Sequence, residues 1–333
     1  MALSDQLQKA WYEGQRPPWW ALPLASLYGA LAARRRRRFR SGRLASVWLP
    51  VPVVVVGNIT VGGTGKTPLT MALVEALAAR GWRPGVVSRG YGGRQRDPVL
   101  LGDAPDPAQF GDEPCLIRAA GVPVAVGRDR PSAAALLVEA GCSVVIADDG
   151  LQHYRLARDV EICVIDGARR FGNGRLLPAG PLREPLSRLD QVDFRVCNGV
   201  PMAGEYAMQL VGGAALALLG GERRALSAFA GQSVDAVAAI GHPERFFESL
   251  RAQGLEVTGH PFPDHHAFAA GDFVFASDKP VLMTDKDAIK CQRFAREGWW
   301  RVPVRATLPA AFVDALCERI RAAADRSGGR AAS

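Results

Sequence analysis

The segment Thr60-Val61-Gly62-Gly63-Thr64-Gly65-Lys66-Thr67 gathers three glycines, a lysine and three threonine hydroxyls in one short loop. Glycines at these positions let backbone N–H groups approach phosphate oxygens. Lys66 is long enough to reach a transferring phosphoryl group, and Thr67 offers an oxygen to magnesium. The set predicts a phosphate-binding loop for ATP and Mg2+, although Thr60 stands where the usual pattern has its first glycine. Such a site also needs a carboxylate at the end of another strand. Asp148, closing the apolar run from Cys142 to Ala147, is the candidate; the plainer reading of Asp148-Asp149-Gly150 is a turn.

Four other clusters carry polar groups suited to the same chemistry. Phe110-Gly-Asp-Glu-Pro114 sets Asp112 and Glu113 at the start of a helix, either as a cap or as a general base beside a magnesium ligand. Arg89, in the glycine-rich stretch after Val86-Val-Ser88, is placed to meet phosphate. Arg183 and Glu184 close the irregular segment from Gly167 to Pro185, which is a linker or a functional loop. Asp264, His265 and His266 share a proline-bounded turn, and the chain has only 5 histidines. A histidine beside an aspartate can accept a proton, orient a carboxylate base or contact phosphate, and the alternative is an exposed polar turn. Pro280 to Lys290 reads as a strand leaving into a charged turn, without the Asn/Thr-Lys-x-Asp spacing of base-recognition loops.

These residues need a frame. Val51 to Val56 is a continuous apolar run, as in a strand buried on both faces, and Leu69 to Arg80 has helical spacing. Further strands are expected at Val86–Ser88, Val124–Gly127, Cys142–Ala147 and Ile162–Asp166. The pattern predicts an α/β fold: a P-loop NTPase-like, doubly wound parallel sheet with its chemistry at the carboxyl ends of the strands. We expect three parts: residues 1–45 as an N-terminal membrane-associated helix and basic segment, 46–191 as the kinase domain, and 192–333 as a smaller C-terminal α/β domain with no second phosphate loop.

The net charge of +8 points first to nucleic acid or a membrane, but Arg34 to Arg38, Arg40 and Arg43 supply seven of those charges and leave +1 for the rest. Basicity this local does not trace a nucleic-acid groove. It follows the uncharged stretch Trp19–Ala33, which as a helix spans roughly 22 Å against about 30 Å of hydrocarbon. Tryptophans, an apolar face and arginines in that order describe an interfacial anchor on anionic lipids; the alternative is an amphipathic helix packed on the protein's own core. Charges after the apolar core also exclude a secretory signal. The six cysteines form no CxxC pair and read as reduced packing thiols of a cytoplasmic protein.

Taken in order, Gly57-Asn through Lys66-Thr-Pro68, Ser88-Arg-Gly-Tyr-Gly92, Gly111-Asp-Glu-Pro114, Asp148-Asp-Gly-Leu-Gln-His153, Gly172-Asn-Gly through Arg183-Glu-Pro185, Asp264-His265 and Thr284-x-Lys-Asp287 resemble the tetraacyldisaccharide 4'-kinases, the lipid A 4'-kinases of Gram-negative bacteria. The resemblance implies transfer of the γ-phosphate of ATP to the 4'-hydroxyl of an acylated disaccharide 1-phosphate, at the cytoplasmic face of the inner membrane, by a monomer. It implies Asp112 and His265 as a catalytic pair assisted by Lys66. Thr67 with Glu113 or Asp148 would hold magnesium, and Arg89, Asp149, His153, Arg183, Glu184 and Asp264 are candidate substrate contacts. Because Asp112 and His265 lie in different halves of the chain, the expectation is a site assembled by domain closure. Two rivals share the phosphate loop: a membrane-associated ATPase or GTPase, and a non-catalytic nucleotide-gated membrane adaptor.

Overall fold

The computed structural model describes residues 3–275 and 279–330. The chain opens with helices α1 (Leu3–Tyr12) and α2 (Ala21–Arg40) and then lays down β1 (Val53–Gly57), β2 (Pro84–Ser88), β3 (Val99–Leu100), β4 (Val124–Val126), β5 (Val144–Ala147), β6 (Val160–Asp166), β7 (Phe194–Asn198) and β8 (Tyr206–Gly212). Between them run α3 (Lys66–Ala78), α4 (Pro107–Phe110), α5 (Asp112–Ala119) and α6 (Arg130–Glu139). A second sheet follows, made of β9 (Ala215–Ala217), β10 (Arg223–Arg224), β11 (Ser233–Ala238), β12 (Glu256–Pro261), β13 (Val281–Thr284) and β14 (Trp299–Val302), with α7 (Pro243–Arg251) and α8 (Asp285–Cys291). The chain ends in β15 (Val304–Thr307) and α9 (Ala310–Arg330).

Among the described residues the first sheet has nine strands, in the order β15-β8-β7-β6-β1-β5-β2-β4-β3. Its centre is parallel: β1 pairs β5 on one side and β6 on the other. The valine run explains that position. Val54 and Val56 enter the core shared with Leu69, Leu73 and Leu77 of α3, while Val53 and Val55 enter the opposite core with Ala133 and Leu137 of α6. A strand covered on both faces must be apolar throughout.

The sheet does not stop where the sequence division at 191/192 was expected. β7 and β8 extend it in parallel, and β15 returns from the end of the chain to pair antiparallel with β8. Phe312, Leu316 and Ile320, spaced four apart on α9, are buried in the same core as α3. The second unit is therefore an insertion between β8 and β15, because the last strand and helix pair and pack on the first sheet. Truncating one such side chain, Phe312→Ala, is worth about 3–5 kcal/mol. Within the insertion β12, β11, β13 and β14 run parallel, β9 pairs antiparallel with β14, and β10 forms the edge antiparallel to β9.

α2 keeps the amphipathic division legible in its sequence. Ala21 and Ala25 pack against Ala179 and Leu176, and Tyr28 donates to the carbonyl of Arg183 at 3.0 Å. On the other side Leu24, Leu27 and Leu31 are 48–58% exposed, and Trp19 is 82% exposed. Among the described residues no helix is long and apolar enough to cross a membrane.

Candidate active site

The phosphate loop joins the carboxyl end of β1 to α3 and is stapled from beneath. Asn58, fully buried, donates through Nδ2 to Thr60 Oγ1 at 3.4 Å and Thr64 Oγ1 at 3.3 Å. Thr60, the residue in the first-glycine position, forms an isolated bridge with Leu182, and the Val61 N–H donates to the carbonyl of Pro181 at 2.9 Å. The stretch from Gly167 to Pro185 is thus bound to the loop. From the other side Asn198, at the end of β7, donates to the Thr64 carbonyl at 3.3 Å. Gly65 caps α3 with φ of 94°, and a Cβ there would lie 3.0 Å from both Asn198 Nδ2 and Met208 Cε. Only glycine meets both demands. Tyr12, Asp166 and Arg169 line the outer side of the loop, so α1 reaches it as well.

Lys66 and Thr67 fall in the first turn of α3, and Lys66 Nζ lies 3.7 Å from Asp149 Oδ1. Asp149 adopts φ of 47°, held by buried Arg130, which donates to its carbonyl at 3.0 Å. Arg183 donates to both Asp149 carboxylate oxygens, at 3.1 and 3.2 Å. Burial alone would favour the neutral acid, but Lys66, Arg183 and Arg130 together hold Asp149 below the ordinary carboxylate value.

Asp148 closes β5 and is 1% exposed. Burial pushes its carboxyl up to about 7, Glu113 and Asp149 push the same way, and Lys66 and the Thr70 hydroxyl oppose them. Thr70 donates to Oδ1 at 3.0 Å, while Oδ2 is buried without a hydrogen-bond partner among the described residues. A buried carboxylate oxygen facing other acids and lacking a donor fits a cation. Among the described residues no group of three or more acidic, histidine or cysteine side chains is arranged to hold a metal.

Asp112 begins α5, but Gly111, with φ of 91°, occupies the cap position. A Cβ on Gly111 would sit 2.5 Å from the carbonyl of Tyr91, so the glycine-rich turn after β2 is seated on the start of α5. The Asp112 carboxylate is thereby released from capping and faces the inserted domain, where its Oδ2 lies 3.3 Å from His265 Nδ1. His265 adopts φ of 62°, the left-handed region, and its ring packs 5.2 Å from that of Tyr91. The two halves of the chain meet here. Gly241 of the insertion approaches Gly63 of the phosphate loop, and Arg245 lies 3.6 Å from Asp166.

Two lysines that sequence reasoning did not assign complete the cluster. Lys286 Nζ lies 3.5 Å from Glu113 Oε1, 3.4 Å from His265 Nε2 and 3.7 Å from Asp264 Oδ1. Lys290 Nζ lies 3.0 Å from Asp287 and 3.6 Å from Asp112 Oδ2. The segment after Thr284, expected as a charged turn, is the helix α8. Thr284 accepts from the Asp287 N–H as cap, and Asp285 and Asp287 in the first turn complement the helix dipole. Helical spacing turns Lys286 and Lys290 to one side. The Thr-x-Lys-Asp run was the available signal.

Other expected substrate contacts lie elsewhere. Arg89 is exposed at the end of β2. Glu184 is 4% exposed, accepts from Gln152 at 3.0 Å and from Tyr154, and lies 3.7 Å from Arg188 and 3.8 Å from Arg36. It ties α2 to the first domain. His153 is half-buried, and burial with Arg130, Arg35, Arg158 and Arg89 pushes its imidazole down to about 3. A separate cleft of about 290 Å³ opens between Arg36 and Arg40 of α2 and Arg158 and Arg188. All six cysteines are free and buried.

A family model described as tetraacyldisaccharide-1-P 4'-kinase matches residues 18–321. The tetraacyldisaccharide 4'-kinase of Stenotrophomonas maltophilia (strain R551-3) is 54% identical over 322 residues, covering 93% of this chain and 95% of its own length. That of Xanthomonas campestris pv. campestris (strain 8004) is 51% identical over 336 residues, covering 95% and 96%. Among solved structures, the "apo" form LpxK from Aquifex aeolicus in complex with ATP is similar with a TM-score of 0.78 and 29% identity, over 90% of this chain and 98% of that one.

Proposed function

Because the chain belongs to the tetraacyldisaccharide 4'-kinase family, we propose that it transfers the γ-phosphate of ATP to the 4'-hydroxyl of a tetraacyldisaccharide 1-phosphate, forming lipid IVA in lipid A biosynthesis. It is an ATP-dependent kinase. The observation that carries the mechanism is the Asp112–His265 contact of 3.3 Å, made between the two domains beside the phosphate loop. An acceptor hydroxyl presented to Asp112 gives up its proton to the carboxylate, and its oxygen attacks the γ-phosphorus as the bond to ADP breaks. His265 holds Asp112 in position through that contact. Loop N–H groups and Lys66 offset the charge that develops on the phosphate oxygens. Thr67 and Asp148 are the residues suited to hold Mg2+, with Glu113 next to them; the ion would supply charge neutralisation on the phosphates. Asp149, fixed by Arg130 and Arg183, and Asp264, beside His265 and Lys286, are the candidate acceptor contacts.

The acceptor's acyl chains belong to a membrane, and α2 supplies a surface for it. Leu24, Leu27 and Leu31 are exposed on one side, Trp19 precedes them, and Arg34, Arg35, Arg37, Arg38 and Arg40 follow, all exposed. This order supports an interfacial helix on the cytoplasmic face of the inner membrane, its leucines in the acyl boundary and its arginines on lipid phosphates. One chain supplies every group named in the mechanism, which supports a monomer as the working unit.

The test is to incubate the protein with γ-labelled ATP, Mg2+ and tetraacyldisaccharide 1-phosphate in mixed micelles. Label is expected in the lipid. Label found only as free phosphate would favour a hydrolase, and nucleotide binding without turnover would favour an adaptor.

A further inference from the structure

We propose that Lys286 is a positioning residue that sets the tautomer of His265, so that the imidazole presents an Nδ1–H to Asp112. The inference rests on the reading of Asp112 as the base, and concerns a residue not assigned to that chemistry so far. Both ring nitrogens of His265 are engaged: Nδ1 lies 3.3 Å from Asp112 Oδ2, and Nε2 lies 3.4 Å from Lys286 Nζ. A carboxylate can only accept, so the contact with Asp112 requires a proton on Nδ1. An ammonium can only donate, so the contact with Lys286 requires a lone pair on Nε2. The two contacts demand the same tautomer, and Lys286, 3.7 Å from Asp264 Oδ1, stands against the opposite pull of that carboxylate, which lies 3.9 Å from Nε2.

The lysine is itself held. Its side chain is 17% exposed, and Nζ lies 3.5 Å from Glu113 Oε1 and 3.7 Å from Asp264 Oδ1. Lys290, one helical turn further along α8, lies 3.6 Å from Asp112 Oδ2 and donates to the carbonyl of His266 at 3.0 Å. The residue next to His265 is thus anchored to the same helix. His265 has a backbone φ of 62°, a conformation a non-glycine residue keeps only where its surroundings enforce it. Tyr91 packs on the ring at 5.2 Å and limits its rotation. The arrangement follows the logic by which a third group orients the imidazole of a hydrolytic triad, with an ammonium in the place of the acid and the order of roles reversed.

The experiment uses the full-length protein with 15N-labelled histidine and reads the His265 tautomer from two-bond proton–nitrogen correlations, alongside steady-state kinetics. Wild type is expected to show the Nδ1–H form. Lys286→Met should move the signal toward the Nε2–H form or a mixture, and lower kcat on the order of 10–100-fold with little change in KM for ATP. Lys286→Arg, which keeps a donor, should restore the Nδ1–H form and most of kcat. An unchanged His265 tautomer in Lys286→Met overturns the proposal. A raised KM for ATP as the main effect would do so too, assigning the lysine to the nucleotide instead. Because the tautomer is read without turnover, these outcomes stand apart from failure of Asp112 as the base, which Asp112→Asn reports on its own.

Discussion

The claim that Asp112 and His265 work as one unit can be tested by replacing them with Asn and Gln, singly and together. Asn keeps the volume of a side chain that is 12% exposed and removes its charge. Lys290 retains Asp287 at 3.0 Å, so no buried charge is left unpaired and the fold should lose about 1–3 kcal/mol. The chemical step should slow on the order of 10²–10⁴-fold, about 3–5 kcal/mol in barrier, as expected for loss of a general base. His265→Gln removes only the group that orients Asp112, and should cost on the order of 10–100-fold. A partner that acts through Asp112 has nothing left to orient once the carboxylate is gone. The double variant should therefore match Asp112→Asn within about threefold, a coupling of about 1.4–2.7 kcal/mol. Single-turnover label transfer at saturating ATP measures the rates, and titration calorimetry and melting temperature check that nucleotide binding and the fold persist. Multiplicative losses in the double variant would refute the unit.

Three other outcomes follow from particular contacts. Thr70→Val removes the donor to Asp148 Oδ1 and should raise the Mg2+ concentration needed for half-maximal rate on the order of 10-fold, with metal-free nucleotide binding unchanged; an unaltered Mg2+ requirement would contradict the metal role of Asp148. At His153 the folded imidazole titrates near 3 against an ordinary 6.5, so between those values the unfolded chain binds more protons and stability falls as pH drops through 6.5. Between pH 7.5 and 5 that loss is about 1–2 kcal/mol after allowing for partial exposure, and His153→Gln should flatten it in urea titrations; an identical pH slope would contradict the assignment. Replacing Leu24, Leu27 and Leu31 together by Ser should weaken association with phosphatidylglycerol vesicles at least roughly tenfold while leaving nucleotide affinity intact. Undiminished association would remove α2 as the membrane surface.

What could be read from the chain alone was local. The phosphate loop, the valine strand before it and the leucine spacing after it share one short stretch, and each is bound by its own periodicity or turn chemistry. Thr60, which breaks the loop pattern, is held by Asn58 and by its bridge to Leu182, more than a hundred residues away, and the second contact has no local signature. The pairing of Asp112 with His265 came from resemblance, because no local rule links residues in separate domains. Lys286 and Lys290 carry no signal of their own, because Pro280 to Lys290 reads as a strand leaving into a charged turn; the Thr284 cap and the acids of the first turn start α8 there instead. The division at 191/192 differs from the sheet for a similar reason: the return of β15 and α9 is a long-range pairing with no signature at the point where the chain leaves the first sheet.

The central claim, phosphoryl transfer to one hydroxyl of the disaccharide, is tested most directly by phosphorus–proton correlation spectroscopy on the lipid product. The account predicts a second phosphorus resonance coupled to the 4' proton, appearing with ATP and Mg2+ and absent with Asp112→Asn. Coupling to a proton at any other sugar position, or the same product formed by Asp112→Asn at the wild-type rate, would contradict it.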